Sequence, residues 1–185
     1  MTSDAATRDI FSFFWAPLCA IGAHDGQRAN AQICVSVFGA SIVPAQPRLL
    51  VMLSKTNYTH DLVEQSGTLA ITLLSTEQLH LLEPLGLVSG RDHDKLAGLA
   101  PRLSVSGDPF FVDGVAYFSG ETLDAFDVGD STAFLVAVRT SERLSEFPPM
   151  DWADARRRVG SEFMRRWAEK SQREQEIAQR LMVWR

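Results

Sequence analysis

The sequence predicts a mainly β domain with some helix, a barrel or a sandwich, from three observations. Short runs of β-forming residues outnumber the helical segments. Gly, Pro, Asn and Asp punctuate those runs. Strands do not alternate regularly with long helices, which disfavours a doubly wound parallel sheet, and no Gly-x-Gly-x-x-Gly supports a Rossmann dinucleotide site. At 185 residues, with 45% hydrophobic and 22% charged, the chain suits one folded domain with a sizeable core.

The elements follow in order. Leu18 to His24 reads as a strand ended by the turn signal Asp25-Gly26. The next strand runs from about Arg28 to Phe38 as one piece. In it Ala29, Ala31, Ile33, Val35 and Val37 form an apolar face, expected to be barrel core. Asn30, Gln32, Cys34 and Ser36 form a polar face, expected to meet a ligand or a second subunit. After Pro44 and Pro47, Leu49 to Leu53 is a buried strand. Thr59 to Gln65 reads as a short helix with Thr59 as N-cap and Gly67 just past its end. Thr68 to Leu74 is a strand, and Ser75 with Gln78 forms a capping box for a second helix ending near Gly86. Ser89 to Gly98 is a charged loop. Two longer strands follow near Val115–Leu123 and Ala133–Thr140, joined by a turn around Gly129. Past Pro148-Pro149 a helical tail begins, so residues 1–149 read as the β domain and 150–185 as a helical extension of it.

Composition narrows the function. The net charge of −5 argues against nucleic acid as the main partner, because phosphate backbones call for basic patches. The charge is uneven: from Asp151 onward nine basic face six acidic side chains, against nine and seventeen in the remainder. Cys19 and Cys34 lack any metal-type or redox-type spacing, which predicts free thiols in a reducing, cytoplasmic setting. The apolar run from Phe11 to Ile21 is short, broken by Pro17, and lacks the flanks of a secretory signal; no run reaches the ~20 apolar residues of a membrane helix. The four histidines have no metal-ligand spacing and read as structural or surface groups.

Six segments, taken in order, carry a resemblance. They are Gly26-Gln27-Arg28-Ala29-Asn30, then Ser41-Ile42-Val43-Pro44 with Pro47, then Lys55-Thr56-Asn57-Tyr58-Thr59-His60. Gly67 to Leu74, Ser89-Gly90-Arg91-Asp92-His93-Asp94-Lys95 and Val128-Gly129-Asp130-Ser131-Thr132-Ala133-Phe134 complete the set. Together, from about Ile21 to Val138, they resemble the flavin reductase-like, FMN-binding split-barrel family. The resemblance implies a six-stranded antiparallel barrel of Greek-key-like order with short flanking helices and a C-terminal helix. It also implies a homodimer holding FMN, or FAD, in a cleft between subunits, reduction by NADH or NADPH, and an oxygenase or other acceptor as electron partner. Family members often carry His after the Gly-Asp pair; this chain has Ser131 there.

The chemistry of a flavin site then selects residues. Lys55, Thr56, Asn57 and Thr59 lie at a strand end opening a helix, where free N–H groups and the helix dipole favour a phosphate; a cap at Thr59 and a solvated Lys55 are the bland alternative. Asn30 offers an amide to the ring or the ribityl chain, or bonds only its own turn. Ala40, Ser41 and Ile42 offer backbone groups to the ring edge, or form a loop packed by prolines. Ser89, Gly90 and Lys95 form a third contact region by the resemblance; on local evidence alone they are a solvated loop. No catalytic acid, base or metal ligand is assigned, since hydride transfer to flavin N5 needs stacking instead. An FMN-holding electron-transfer protein without nicotinamide oxidation, and a relative that has lost flavin, remain the alternatives.

The tail carries one apolar stripe: Trp152, Val159, Phe163 and Trp167, continued by Ile177, Leu181 and Trp184. It docks on its own barrel or crosses to a partner subunit. Lys170 on this tail reads as an exposed lysine.

Overall fold

The computed structural model describes residues 12–182. After a 3-10 turn at Ser12–Phe14, the strands are β1 (Cys19–His24), β2 (Ala29–Cys34), β3 (Val37–Gly39), β4 (Arg48–Ser54), β5 (Thr68–Leu73), β6 (Arg102–Leu103), β7 (Pro109–Phe110), β8 (Ala116–Asp127) and β9 (Ser131–Arg143). The α-helices are α1 (Tyr58–Ser66), α2 (Leu82–Gly86), α3 (Trp152–Arg158) and α4 (Gly160–Leu181), with a 3-10 segment at Thr76–Leu81 before α2.

Seven strands form one antiparallel ladder in the order β2-β1-β5-β8-β9-β4-β3. Its two ends, β2 and β3, are neighbours in sequence, so the chain through Val35 and Ser36 closes the ring covalently. Two bonds pin this corner: Met52 N–H donates to Ser36 O over 3.0 Å, and the Cys34 thiol to Met52 O over 3.5 Å. The single strand expected from Arg28 to Phe38 is therefore two, and counting them as one bent strand gives the six-stranded barrel. β6 and β7 form a separate two-stranded ribbon, too short for the sequence pattern to reveal.

The corner changes which way side chains face. Cys34 joins Cys19, Ile21, Leu53, Leu69, Phe134 and Val136 inside the barrel, and Val37 packs there too. Ala31, Ile33 and Val35 pack instead on the outer side, against Leu18, Ala20, Leu82, Leu85, Met150, Trp152 and Phe163. A regular strand would hold Val35 and Val37 on one face; the break between them reverses the facing. The apolar alternation thus marks a second core beneath the helices, not the barrel interior. β1 is buried on both faces for the same reason, with Cys19 and Ile21 inside and Leu18 and Ala20 outside.

Local signals behave as their chemistry requires. Asp25 Oδ1 accepts from the N–H groups of Gln27 and Arg28 over 2.9 and 2.7 Å, which also holds its carboxyl below the usual range. Glu77 N–H donates to Ser75 Oγ and Ser75 N–H to Gln78 Oε1, the reciprocal capping box, although it opens a 3-10 turn. Gly67 takes φ +70° and ends α1 with its N–H on Val63 O. The N-cap of α1 is Asn57, not Thr59, which lies inside the first turn and is fully buried.

The tail is two helices, parted at Gly160, and it docks on its own barrel. Trp152 stacks edge-on against Trp15 at 5.6 Å and lies 4.9 Å from Trp167, which stacks with Phe163 at 6.2 Å. Arg166 pairs with Glu83, tying α4 to α2. Ile177 and Leu181 stay exposed, and Trp184 lies outside the described residues. Truncating Trp152 to Ala is expected to cost about 3–5 kcal/mol of stability through the outer core, whereas Ile177→Ala should stay within about 0.5 kcal/mol in a single-chain measurement. Urea unfolding of both variants checks this.

Candidate functional site

β2 ends its ladder, so one of its edges has no strand partner. Along that edge runs a cleft of about 140 Å³. Residues from both faces of β2 reach it: Asn30 and Gln32 from one, Ile33 from the other. The opening turn of α1 supplies Thr56, Asn57, Tyr58 and Thr59. The end of α2 and the loop beyond it supply Leu85, Gly86, Val88, Ser89, Gly90 and Lys95. The fourth wall is α4, through Trp167, Lys170 and Glu174.

Three of these walls are locked together by named bonds. Asn30 Nδ2 donates to Thr59 Oγ1 over 2.7 Å, both groups buried, which joins β2 to α1. Arg28 donates to Gly90 O over 2.8 Å, and its guanidinium lies 4.9 Å from the Tyr58 ring centre. Arg91 stacks on the same ring at 5.6 Å and pairs with Asp61 over 2.7 Å. Tyr58 thus meets two guanidinium groups, an arrangement that draws the loop onto α1.

Lys95 is the buried cation of the cleft. It is 8% exposed and donates to Leu85 O over 2.9 Å. Burial, then the nearby Lys170 charge, bring its ammonium down to about 8, with Glu174 opposing the shift. Lys170 is not the exposed tail lysine its position suggests: it lines the cleft and pairs with Glu174. Gln32 is 6% exposed, and its Oε1 is the one buried side-chain nitrogen or oxygen without a hydrogen-bond partner among the described residues.

The structure brings together Asn30, Thr56, Asn57, Thr59, Ser89, Gly90 and Lys95 on one cleft. It does not bring Lys55 there: its ammonium bonds Asp127 Oδ1 and Gly129 O, both over 2.7 Å, and clamps the end of β4 to the β8–β9 turn. Ala40, Ser41 and Ile42 also lie off the cleft, in the exposed loop between β3 and β4, with Ile42 99% exposed. Gln32, Tyr58, Trp167, Lys170 and Glu174 escaped sequence reasoning as site residues. Gln32 alone had a usable signal, its place on the polar face with Asn30. Cys34, on that same face, is taken up by the inner core, where burial pushes its thiol up to about 11. Ser131 opens β9, and the Oγ1 of the next residue, Thr132, lies 2.9 Å from His60 Nε2.

Gly90 is held to glycine by Asn30. A Cβ there would fall 2.2 Å from Asn30 Oδ1, and the Asn30 amide cannot swing away without breaking its bond to Thr59. Gly90→Ala is expected to destabilise by about 1–3 kcal/mol through this overpacking and to open the cleft's rim, readable as faster hydrogen exchange of the Ser89–Arg91 amides.

Comparison with known proteins gives a consistent picture. Residues 11–161 match the flavin reductase-like domain family. The chain is 32% identical over 135 residues to a high molecular weight rubredoxin of Moorella thermoacetica, covering 72% of this chain and 58% of that protein. It is 26% identical over 129 residues to a ferric-chelate reductase (NAD(P)H) of Archaeoglobus fulgidus, covering 69% of this chain and 75% of the other. The fold superimposes on an NADH:FAD oxidoreductase of Streptomyces globisporus with a TM-score of 0.72 at 20% identity, over 80% of this chain and 89% of that one. With the family match spanning most of the sequence, and a mainly β curled antiparallel sheet carrying the matched segments, the chain belongs to the flavin reductase-like family.

Proposed function

We propose that this chain is an oxidoreductase that binds FMN, with FAD the alternative, along the unpaired edge of β2 and reduces it with NADH or NADPH. The observation that carries the reading is the cleft's donor set: two ammonium groups, four hydroxyls and the opening turn of a helix, together with an orphaned carboxamide oxygen. That set fits a ligand part bearing a phosphate and hydroxyls together. When bound, the flavin supplies the two-electron chemistry, accepting hydride at N5 from the reduced nicotinamide.

The chain's own residues bind and orient. Thr56, Asn57 and Thr59 present hydroxyl and amide groups at the positive end of α1, where the backbone N–H groups of Thr56 and Asn57 are themselves held by Ser54, and Lys95 and Lys170 add charge. Asn30 and Gly90 fix the spacing between β2, α1 and the loop. A cleft of about 140 Å³ is smaller than the ~300 Å³ at the low end for whole small-molecule sites, so it takes the polar part of the nucleotide. The ring then lies beyond it. Phe38, Ile42 and Val43 on β3 and the loop after it, and Phe126 and Val128 at the β8–β9 turn, are exposed apolar groups. A homodimer that buries them brings the Ala40–Ile42 loop of a second copy to the ring, and reduced flavin passes electrons to an oxygenase or another acceptor.

A second reading is favoured by the likeness to the protein named as a high molecular weight rubredoxin: a protein that keeps FMN bound and passes electrons on without oxidising nicotinamide. Rapid mixing of the FMN-loaded protein with NADH and with NADPH separates the two, since only the first reading bleaches the flavin. Calorimetry that finds no binding of FMN or FAD at high micromolar concentration sinks both.

Lys95 yields a test with opposite signs in two readouts. Its folded value near 8 lies below the ordinary 10.5, so the free protein bears a cost for holding the charge at neutral pH. That cost fades as the pH rises from about 8 to 10.5. Lys95→Met is therefore expected to raise the melting temperature of the free protein at pH 7 while weakening FMN binding by roughly ten- to a hundredfold. In the wild type, FMN affinity should hold steady from about pH 7 to 8, with the phosphate fully ionised, and decline above 8 as Lys95 loses its proton.

A further inference from the structure

Gln32 lines the cleft with a carboxamide oxygen that no group among the described residues satisfies. It is 6% exposed on β2, and its Oε1 has no hydrogen-bond partner among the described residues. Buried polar groups are nearly always paired, and leaving one unpaired destabilises the fold. Its neighbour two residues back shows the contrast: Asn30, on the same face and just as buried, donates to Thr59. One amide ties the walls together; the other belongs to a side chain that lines the cavity and keeps a buried oxygen without a partner.

We propose that Gln32 is a ligand-binding residue that recognises a hydroxyl of the flavin's ribityl chain, a role resting on the flavin reading above. Three arguments point to a hydroxyl. The cleft is too small for the whole nucleotide and holds its polar part. The cations Lys95 and Lys170 and the start of α1 occupy its other walls and claim the phosphate, which leaves the chain between phosphate and ring to cross β2. A hydroxyl both donates and accepts, so it satisfies a carboxamide in either of its two orientations. Phosphate oxygens are acceptors only and leave Oε1 unpaired.

The test compares wild type with Gln32→Met, close in volume and without the amide. Each free protein is melted, then titrated with riboflavin, which has the hydroxyl chain and no phosphate, and with lumiflavin, which has the ring and no chain. The expected result is a free variant at least as stable as wild type, with riboflavin bound about tenfold more weakly and lumiflavin bound as before. The melting shift that riboflavin gives the wild type shrinks in step. A lower melting temperature for the free variant overturns the assignment, because it makes Gln32 a structural residue. Equal losses for riboflavin and lumiflavin place Gln32 against the ring and overturn the hydroxyl assignment. Undiminished riboflavin binding by a folded variant overturns it while leaving the flavin reading intact. A wild type that binds neither riboflavin, lumiflavin nor FMN removes the flavin reading itself, and the assignment with it.

Discussion

An antiparallel ladder that stops at β2 leaves a row of backbone groups without a strand partner, and such an edge must be covered. The bend at Val35 and Ser36 creates the condition: it carries the chain from β1's side of the ring to β4's, so β2 and β3 never pair. What covers the edge is not another strand. The first turn of α1, the loop after α2 and the side of α4 converge there, and the space they leave is the cleft. The site exists because the barrel is closed by a corner rather than by hydrogen bonds.

Much of the fold was legible because it depends on short-range chemistry. The Asp25-Gly26 turn, the Ser75–Gln78 capping box and Gly67 past the end of α1 need only their own neighbours, and each stands where its residues put it. The family resemblance supplied the six-stranded antiparallel barrel, which no local pattern carries. The alternation in β2 was readable as a period but not as a direction, since a strand covered on both sides has two interiors. Lys55 illustrates the other limit. Its place before a helix N-terminus suits an anion, yet Asp127 and Gly129, over seventy positions away, claim its ammonium. Nothing near Lys55 in sequence announces that competition. Trp167, Lys170 and Glu174 were unreadable for the same reason, because the tail's route across the barrel is decided by where the tryptophans pack.

The site residues share a thermodynamic character. Lys95 is buried with one carbonyl as its hydrogen-bond partner, and Gln32 keeps an unpaired oxygen. Both are costs to the free chain, and both lie on the cleft. A fold selected for stability alone would place apolar groups at these positions. The surrounding core is large enough to absorb the cost: the inner cluster of Ile21, Leu53, Leu69 and Phe134 and the outer cluster around Trp152 flank β1 from both sides. Local conflict with the rules of packing thus coincides with the candidate site, as expected where binding sets the requirement.

The two cysteines bear on how long such a protein lasts. Cys19 and Cys34 stand directly opposite each other on β1 and β2, side by side in the inner core. Burial pushes both thiols up, Cys34 to about 11 and Cys19 further, so at neutral pH almost none of either is ionised. The thiolate is the form that oxidants and alkylating agents attack. The redox chemistry proposed for the barrel's edge therefore has as neighbours two sulfurs kept chemically quiet by the hydrocarbon interior around them.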